Sequence, residues 1–224
     1  MRLSIVLLGL ACLSASASSF AGVLHRGAVY RGANGGVART HGTLARGPDG
    51  RAWHAGGTAR GSDGGLVHAR AGGVSGPNGR AEHGSRTAVA SDGTMTHRGQ
   101  FAAQGTNGGS VRGERNVQRN PDSSMQAGYT VSGTSADGGS FSRSGSRTRS
   151  ADGDRTASRQ TSASGARGSY VASTSRADGT LSHGSTVTGA NGNTYQGQTS
   201  YTRGEGFSHT GTCTNAQGQS IQCP

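Results

Sequence analysis

The chain has 224 residues, of which 42 are glycine, and Gly, Ser and Pro together make 76, about a third. After position 21 only 27 residues are Val, Ile, Leu, Met, Phe, Tyr or Trp. That is too few for the thick apolar core of an ordinary enzyme domain, because backbone ordering costs about 1–2 kcal/mol per residue and burial has to offset it. All 22 basic side chains are Arg against 11 acids, a formal +11, a balance that draws a protein toward polyanions.

Residues 1–21 have the form of a secretory signal: Arg2, an apolar stretch over Ile5–Leu13, and Ser19-Phe20-Ala21 with small residues at −3 and −1. Ala15-Ser16-Ala17 is a second cleavage option. Cys12 would suit a lipid anchor, but Gly9 stands three residues before it, where such signals carry Leu. Cleavage after Ala21 leaves residues 22–224 as a single repeat domain, secreted or periplasmic. Its two cysteines, Cys213 and Cys223, are the even number that an oxidised pair requires. No later segment is apolar enough to span a bilayer as a helix.

From residue 34 onward an Asx-Gly pair or a relative of it recurs: Asn34-Gly35, Asp49-Gly50, Asp63-Gly64, Asn78-Gly79, Asp92-Gly93, Asn107-Gly108 and Asp122-Ser123. Asp137-Gly138, Asp152-Gly153, Arg167-Gly168, Asp178-Gly179, Asn191-Gly192, Glu205-Gly206 and Gln217-Gly218 follow. The step is 14 or 15 residues up to Gly168 and 11–14 after it, which is the mark of an array. Pro48-Asp49-Gly50 and Pro77-Asn78-Gly79 suggest three-residue hairpin loops, a type I turn closed by a glycine in the αL region. The turns take seven of the eight aspartates, which leaves no carboxylate pair for acid–base chemistry.

Between turns the pattern alternates. Met95, His97, Gly99 and Phe101 share one parity against Thr94, Thr96 and Arg98, and Tyr195–Tyr201 and Phe207–Cys213 repeat it. Period two is a strand signal, and it runs through the mid-segment glycines without a phase change. Leu181 and Val187, Val111 and Val117, Tyr195 and Tyr201, and Met95 and Phe101 each stand six apart. Each pair therefore lies on one face, about 20 Å apart. The expected fold is all-β, about 15 antiparallel strands in a meander curled as a barrel or sandwich, with two apolar rows brought together by bending at a central glycine row. A two-sided β-solenoid and a largely disordered chain are the alternatives.

His54, His68, His83, His97 and His183 each follow a turn glycine by four residues. In a meander consecutive members fall at opposite ends, and His54 and His83 lie two strands apart, about 9–10 Å, too far to share one ion. The spacing is read as a phase inherited by duplication, and no metal, cofactor or catalytic residue is assigned. Serines stand at alternating positions with no strand-to-helix nucleophile elbow, and no glycine-rich loop sits where it could cradle a phosphate. Lone Trp53 reads as a packed strand residue.

The arginines come closest to clustering at Arg112, Arg115, Arg119 and at Arg143, Arg147, Arg149. Segregation of Arg to one face would favour polyanion binding, and dispersal would favour a structural role. The candidate partners are polyanions (lipopolysaccharide, acidic polysaccharide or nucleic acid), held weakly and salt-sensitively, and further copies of the chain through strand edges.

Thr188-Gly189-Ala190-Asn191-Gly192-Asn193-Thr194-Tyr195, Thr202-Arg203-Gly204 and Gly211-Thr212-Cys213-Thr214, with Gly218 and Cys223, resemble the ends of uncharacterised small exported proteobacterial Gly/Ser/Thr-rich repeat proteins. The resemblance covers residues 188–223 and implies export and a terminal cysteine pair. Cys213 and Cys223 stand five residues either side of Gly218. A three-residue loop at Ala216–Gly218 would set Cys213 opposite Ile221, so a longer loop over 216–220 is expected, to bring the cysteines directly opposite one another. The reading is a non-enzymatic structural, adhesive or matrix-type protein, with polyanion binding as the alternative.

Overall fold

The computed structural model describes residues 22–223, so the expected signal segment, residues 1–21, and Cys12 lie outside the described residues. The strands are β1 (Gly22–Arg31), β2 (Val37–Gly47), β3 (Gly50–Arg60), β4 (Leu66–Gly76) and β5 (Gly79–Val89). Next come β6 (Met95–Gly105), β7 (Ser110–Arg119), β8 (Met125–Thr134), β9 (Ser140–Arg149) and β10 (Arg155–Gly165). The last are β11 (Gly168–Ala177), β12 (Thr180–Gly189), β13 (Thr194–Thr202), β14 (Gly206–Thr214) and β15 (Ser220–Ile221). They form one 15-stranded sheet in sequence order, with every pair antiparallel. A solenoid, which needs parallel coils, is thereby excluded.

Each strand contacts only the strands before and after it in sequence. The sheet is therefore an open meander, neither closed into a barrel nor folded into a sandwich. Its accessible area is 16147 Å², well above the roughly 9,400 Å² of a compact monomer of this mass. Gly72, Gly73, Ala172 and Cys213 are the buried residues among those described. The expected apolar rows form only in part: Leu181, Tyr201 and Val117 fall in one cross-strand row and Val187, Tyr195 and Val111 in another, but Arg147 and Arg176 interrupt the first, and Met95 and Phe101 fall outside both. They are not brought together, and Leu181 and Val187 both remain 42% exposed.

The turns explain the order. Nine of the fourteen are three-residue loops with two backbone bonds across their base, as where Gly32 N–H donates to Gly36 O at 2.8 Å and Gly35 N–H to Gly32 O at 3.1 Å. In eight of them the last residue is a glycine at φ between 78° and 98°, and in the ninth Ser123 takes φ 68°, a conformation that only glycine adopts freely. The Asx side chain adds a bond two residues on: Asp63 Oδ1 accepts from Gly65 N–H at 3.0 Å, and Asp122 Oδ1 from Ser124 N–H at 2.9 Å.

Pro48-Asp49-Gly50 and Pro77-Asn78-Gly79 depart from the expected three-residue form. Gly47 pairs with Gly50 and Gly76 with Gly79, so each of these loops has two residues. Proline fixes a negative φ, which bars the I′ and II′ turns that match strand twist. Gly50 and Gly79 absorb the mismatch at φ 139° and 130°. A Cβ at Gly50 would lie 2.1 Å from Ser75 O. The loops at Ala166-Arg167 and Asp178-Gly179 also have two residues.

Mid-strand glycines have a different task. Six rings each face a glycine across the ladder: Phe101 opposite Gly113, Tyr129 opposite Gly145, Phe141 opposite Gly133, Trp53 opposite Gly73, His41 opposite Gly56 and His83 opposite Gly72. The ring lies over the bare backbone, so that a Cβ at Gly113 would meet Phe101 Cε1 at 2.5 Å. This covering of sheet glycines by cross-strand rings replaces a second layer. Gly113→Val should therefore cost about 1 kcal/mol or more, as overpacking does. Gly47→Val, with nothing within 4 Å of its added Cβ, should stay within about 0.5 kcal/mol. Urea midpoints measure both, and equal losses would contradict the ring-over-glycine account.

Candidate functional surface

Directly paired residues of adjacent strands project to the same face, so the register sorts every side chain. One face, here the ring face, carries all 27 large apolar residues except Leu24, Tyr30, Leu44, Trp53, Val67 and Val171. It also carries all eight histidines and has no acid at any strand position. The other, here the hydroxyl face, has no charged side chain from β9 to β14 and is tiled there with Ser, Thr and Gln.

The hydroxyls bond across the ladder. Ser140 and Ser164 Oγ are 2.8 Å apart, Ser142 and Ser162 2.8 Å, Ser146 and Ser158 2.7 Å, and Thr148 and Thr156 Oγ1 2.6 Å. A bow in the sheet makes a hollow of about 900 Å³ on this face, from Trp53 on β3 to Ser162 on β10. It is broad and lined by short polar and apolar side chains with Arg51, Arg80, Arg112 and the one carboxylate Glu82.

On the ring face the histidines repeat one contact. Nδ1 stands 2.9 Å from a facing threonine Oγ1 in His25–Thr43, Thr87–His97 and Thr174–His183, with 3.0 Å for Thr58–His68 and 2.8 Å for Thr199–His209. His54 and His83 stand in one cross-strand row with Gly72 between them, and His68 and His97 in another with Thr87 between. His41 and His54 stack at 5.5 Å between ring centroids. Among the described residues no group of three or more His, Cys, Asp or Glu is gathered to hold a metal ion. The recurrent partner is thus threonine, which sequence spacing from the turns could not show because it depends on loop length.

Arg143, Arg147 and Arg149 all lie on the ring face, together with Arg155, Arg159 and Arg176. The other proposed cluster is divided: Arg112 is on the hydroxyl face, bonded through Nε to Ser132 Oγ at 3.3 Å, while Arg115 and Arg119 are on the ring face. Arg143 Nε donates to Tyr129 OH at 3.1 Å and its guanidinium carbon lies 5.9 Å from that ring's centroid. Arg149 stands directly opposite Arg155, a like-charged pair that costs the sheet stability. Arginine is therefore dispersed over both faces in β1–β8 and segregated to the ring face in β9–β14.

The disulfide joins Cys213 and Cys223, with Cα atoms 5.3 Å apart. The expected longer loop is not present: Asn215 N–H donates to Gln219 O and Gly218 N–H to Asn215 O, both at 2.9 Å, closing a three-residue loop. Asn215 Oδ1 accepts from Gln217 N–H at 3.1 Å and Gln219 N–H at 2.9 Å, so it supplies the contact that Gln217 cannot. Cys213 faces Ile221, and the bridge is diagonal. It forms because the chain leaves the strand after Ile221 and brings Cys223 back to Cys213.

No protein-family model matches the chain, and no curated protein or solved structure is similar to it. Among the described residues no helix is long and apolar enough to cross a membrane.

Three turn carboxyls titrate below the usual range. Asp92 is lowered by the backbone and hydroxyl of Thr94, Asp122 by the hydroxyl and backbone of Ser124, and Asp137 by the hydroxyl of Ser135 and backbone N–H groups. A depressed folded-state pKa adds stability at pH values above the ordinary carboxylate pKa, lost as pH falls through the lower folded value. Replacing Asp92, Asp122 and Asp137 together by Asn, which serves the same turns at Asn34, Asn107 and Asn191, should flatten the loss of thermal midpoint below about pH 4. A variant whose acid limb matches the wild type would show that these turns do not set it.

Proposed function

We propose that the chain is an exported, non-enzymatic repeat protein of structural, adhesive or matrix type, acting through the two wide faces of its sheet in the secreted or periplasmic space. The observation that carries the reading is the repetition of like contacts on those faces: hydroxyl–hydroxyl bonds on one, four of them between β9 and β10 with others between β7 and β8 and between β12 and β13, and His–Thr contacts on the other in five separate strand pairs. Catalysis needs unlike groups converging on one atom, whereas a surface that meets an extended partner profits from repetition. The diagonal Cys213–Cys223 bridge accords with an oxidising compartment, as does the signal-like segment 1–21.

A second reading, polyanion binding, is favoured by the acid-free ring face and its opposed Arg149 and Arg155. Bringing anionic groups over such a pair replaces repulsion with bidentate contacts. Lipopolysaccharide, acidic polysaccharide and nucleic acid all offer that chemistry.

Fractionation of producing cells tests both readings. The chain should be recovered from the surface or extracellular matrix fraction with no alkylatable thiol. Arg147, Arg149 and Arg155 replaced together by Gln should move it to the free fraction at lower salt if anions hold it, the salt slope falling by about 1 per lost contact. Unchanged retention would leave the structural reading alone. Cytosolic recovery with two free thiols would overturn the proposal.

A further inference from the structure

The two sides of the sheet end differently. Among the described residues β1 has β2 as its one neighbour, so the outer side of Gly22–Arg31 is unpaired. At the other side β15 pairs only with Cys213 and Thr214, and the disulfide carries the chain away after Ile221. The outer side of β14 from Gly206 to Thr212 is thus left uncovered. An open strand edge is a template for another strand, and the large apolar side chains with the greatest exposure sit on these two strands: Phe207 at 71%, Val23 at 64%, Tyr30 at 59% and Val29 at 58%.

We propose that a second copy of this chain occupies this edge, β1 of one molecule adding antiparallel to the Gly206–Thr212 segment of β14 of the next, so that the meander continues from molecule to molecule. Strand direction alternates along the sheet, so odd-numbered β1 and even-numbered β14 have the opposed directions such a ladder needs. The proposal deepens the matrix reading above and takes only its biological setting from it.

The register that keeps the existing rows in line sets Val29 against Phe207, Gly27 against His209 and Tyr30 against Gly206. The first is an apolar pair and the other two are ring-on-glycine pairs, the same contact that His41 makes with Gly56 and Phe101 with Gly113 inside the sheet. The glycines have room for it: an added Cβ at Gly206 would meet nothing within 4 Å, and at Gly27 only Thr40 O at 3.3 Å. Slipping the register by one residue would put Val23 and Val29 on the hydroxyl face and part both glycines from their rings. Because the two edges differ, the contact is heterologous and adds copies head to tail, which builds a filament wherever the sheet's curvature does not close a ring.

Sedimentation velocity of the oxidised exported chain over a concentration series tests this. The wild type should pass from monomer to species larger than a dimer. Val29→Lys, which blocks the β1 edge, and Phe207→Lys, which blocks the β14 edge, should each stay monomeric to at least about tenfold higher concentration, equivalent to about 1.4 kcal/mol. Mixed one to one, the two variants should form a dimer and stop there, since each retains one intact and complementary edge. Far-UV circular dichroism monitors the fold, and Ala28→Lys replaces Val29→Lys should the latter lose its sheet spectrum.

A wild type that is monomeric throughout, a variant that assembles like the wild type, or a folded mixture that never dimerises would overturn the proposal. Dimers formed by either variant alone would overturn it in favour of a symmetric edge. A monomeric chain still held in the surface fraction would remove the filament and leave the matrix role standing.

Discussion

A sheet one layer thick has no opposing layer to fix which residue faces which, so register rests on the turns and on contacts between neighbouring strands. In this chain the turns recur every 14 or 15 residues up to Gly168, and most of them end on a glycine in the left-handed region. A slip of one residue would exchange the two faces. At a single turn it would set the rings and apolar side chains of the strands beyond that turn on the same face as the hydroxyls of the strands before it, and would part ring from glycine at that pairing. The turn glycines thus govern both shape and surface chemistry.

What the turns set, the cross-strand pairs reinforce. Ring over glycine, imidazole against threonine and hydroxyl against hydroxyl each supply about 0.2–1 kcal/mol relative to a pair of alanines, and none requires burial from a second layer. Contacts between sequence neighbours alone make stability close to a sum of hairpin and interface terms. Opening then begins at the sides of the sheet. At the β14 side the disulfide restrains the last hairpin, while the β1 side has only its ladder with β2. The same arrangement that leaves the molecule without a core leaves its edges available.

Much of the fold was legible because turn chemistry and alternation are local. Asx-Gly spacing marks the hairpins, and the six-residue spacing of Val111 and Val117 or Tyr195 and Tyr201 marks the two apolar rows. Each of these pairs keeps to one face in the structure because an even spacing does so whatever the loop does. The facing of unlike strands was not legible, since it depends on whether a loop holds two residues or three. Pro48-Asp49 and Ala33-Asn34-Gly35 look alike in sequence but shift the partner strand by one position. Loop length decides that His83 covers Gly72 and that Arg149 opposes Arg155, whereas Arg112 parts from Arg115 and Arg119 through its odd spacing within β7 alone. The terminal bridge was legible as a pair, but its diagonal geometry was not, because Asn215 took over the capping contact expected from position 217.

Cross-strand pairs hold this extended single-layer sheet together without a core. Small-angle X-ray scattering from the oxidised chain, separated from larger species by size-exclusion chromatography, tests it most directly. Fifteen strands about 4.8 Å apart and about 35 Å long give a gently bowed sheet a radius of gyration of about 20–23 Å. A compact domain of roughly 200 residues has about 17 Å, and an unfolded chain of that length about 48 Å. A value in the first range, with a sheet-type far-UV spectrum, is the predicted result. Either of the other two would contradict it.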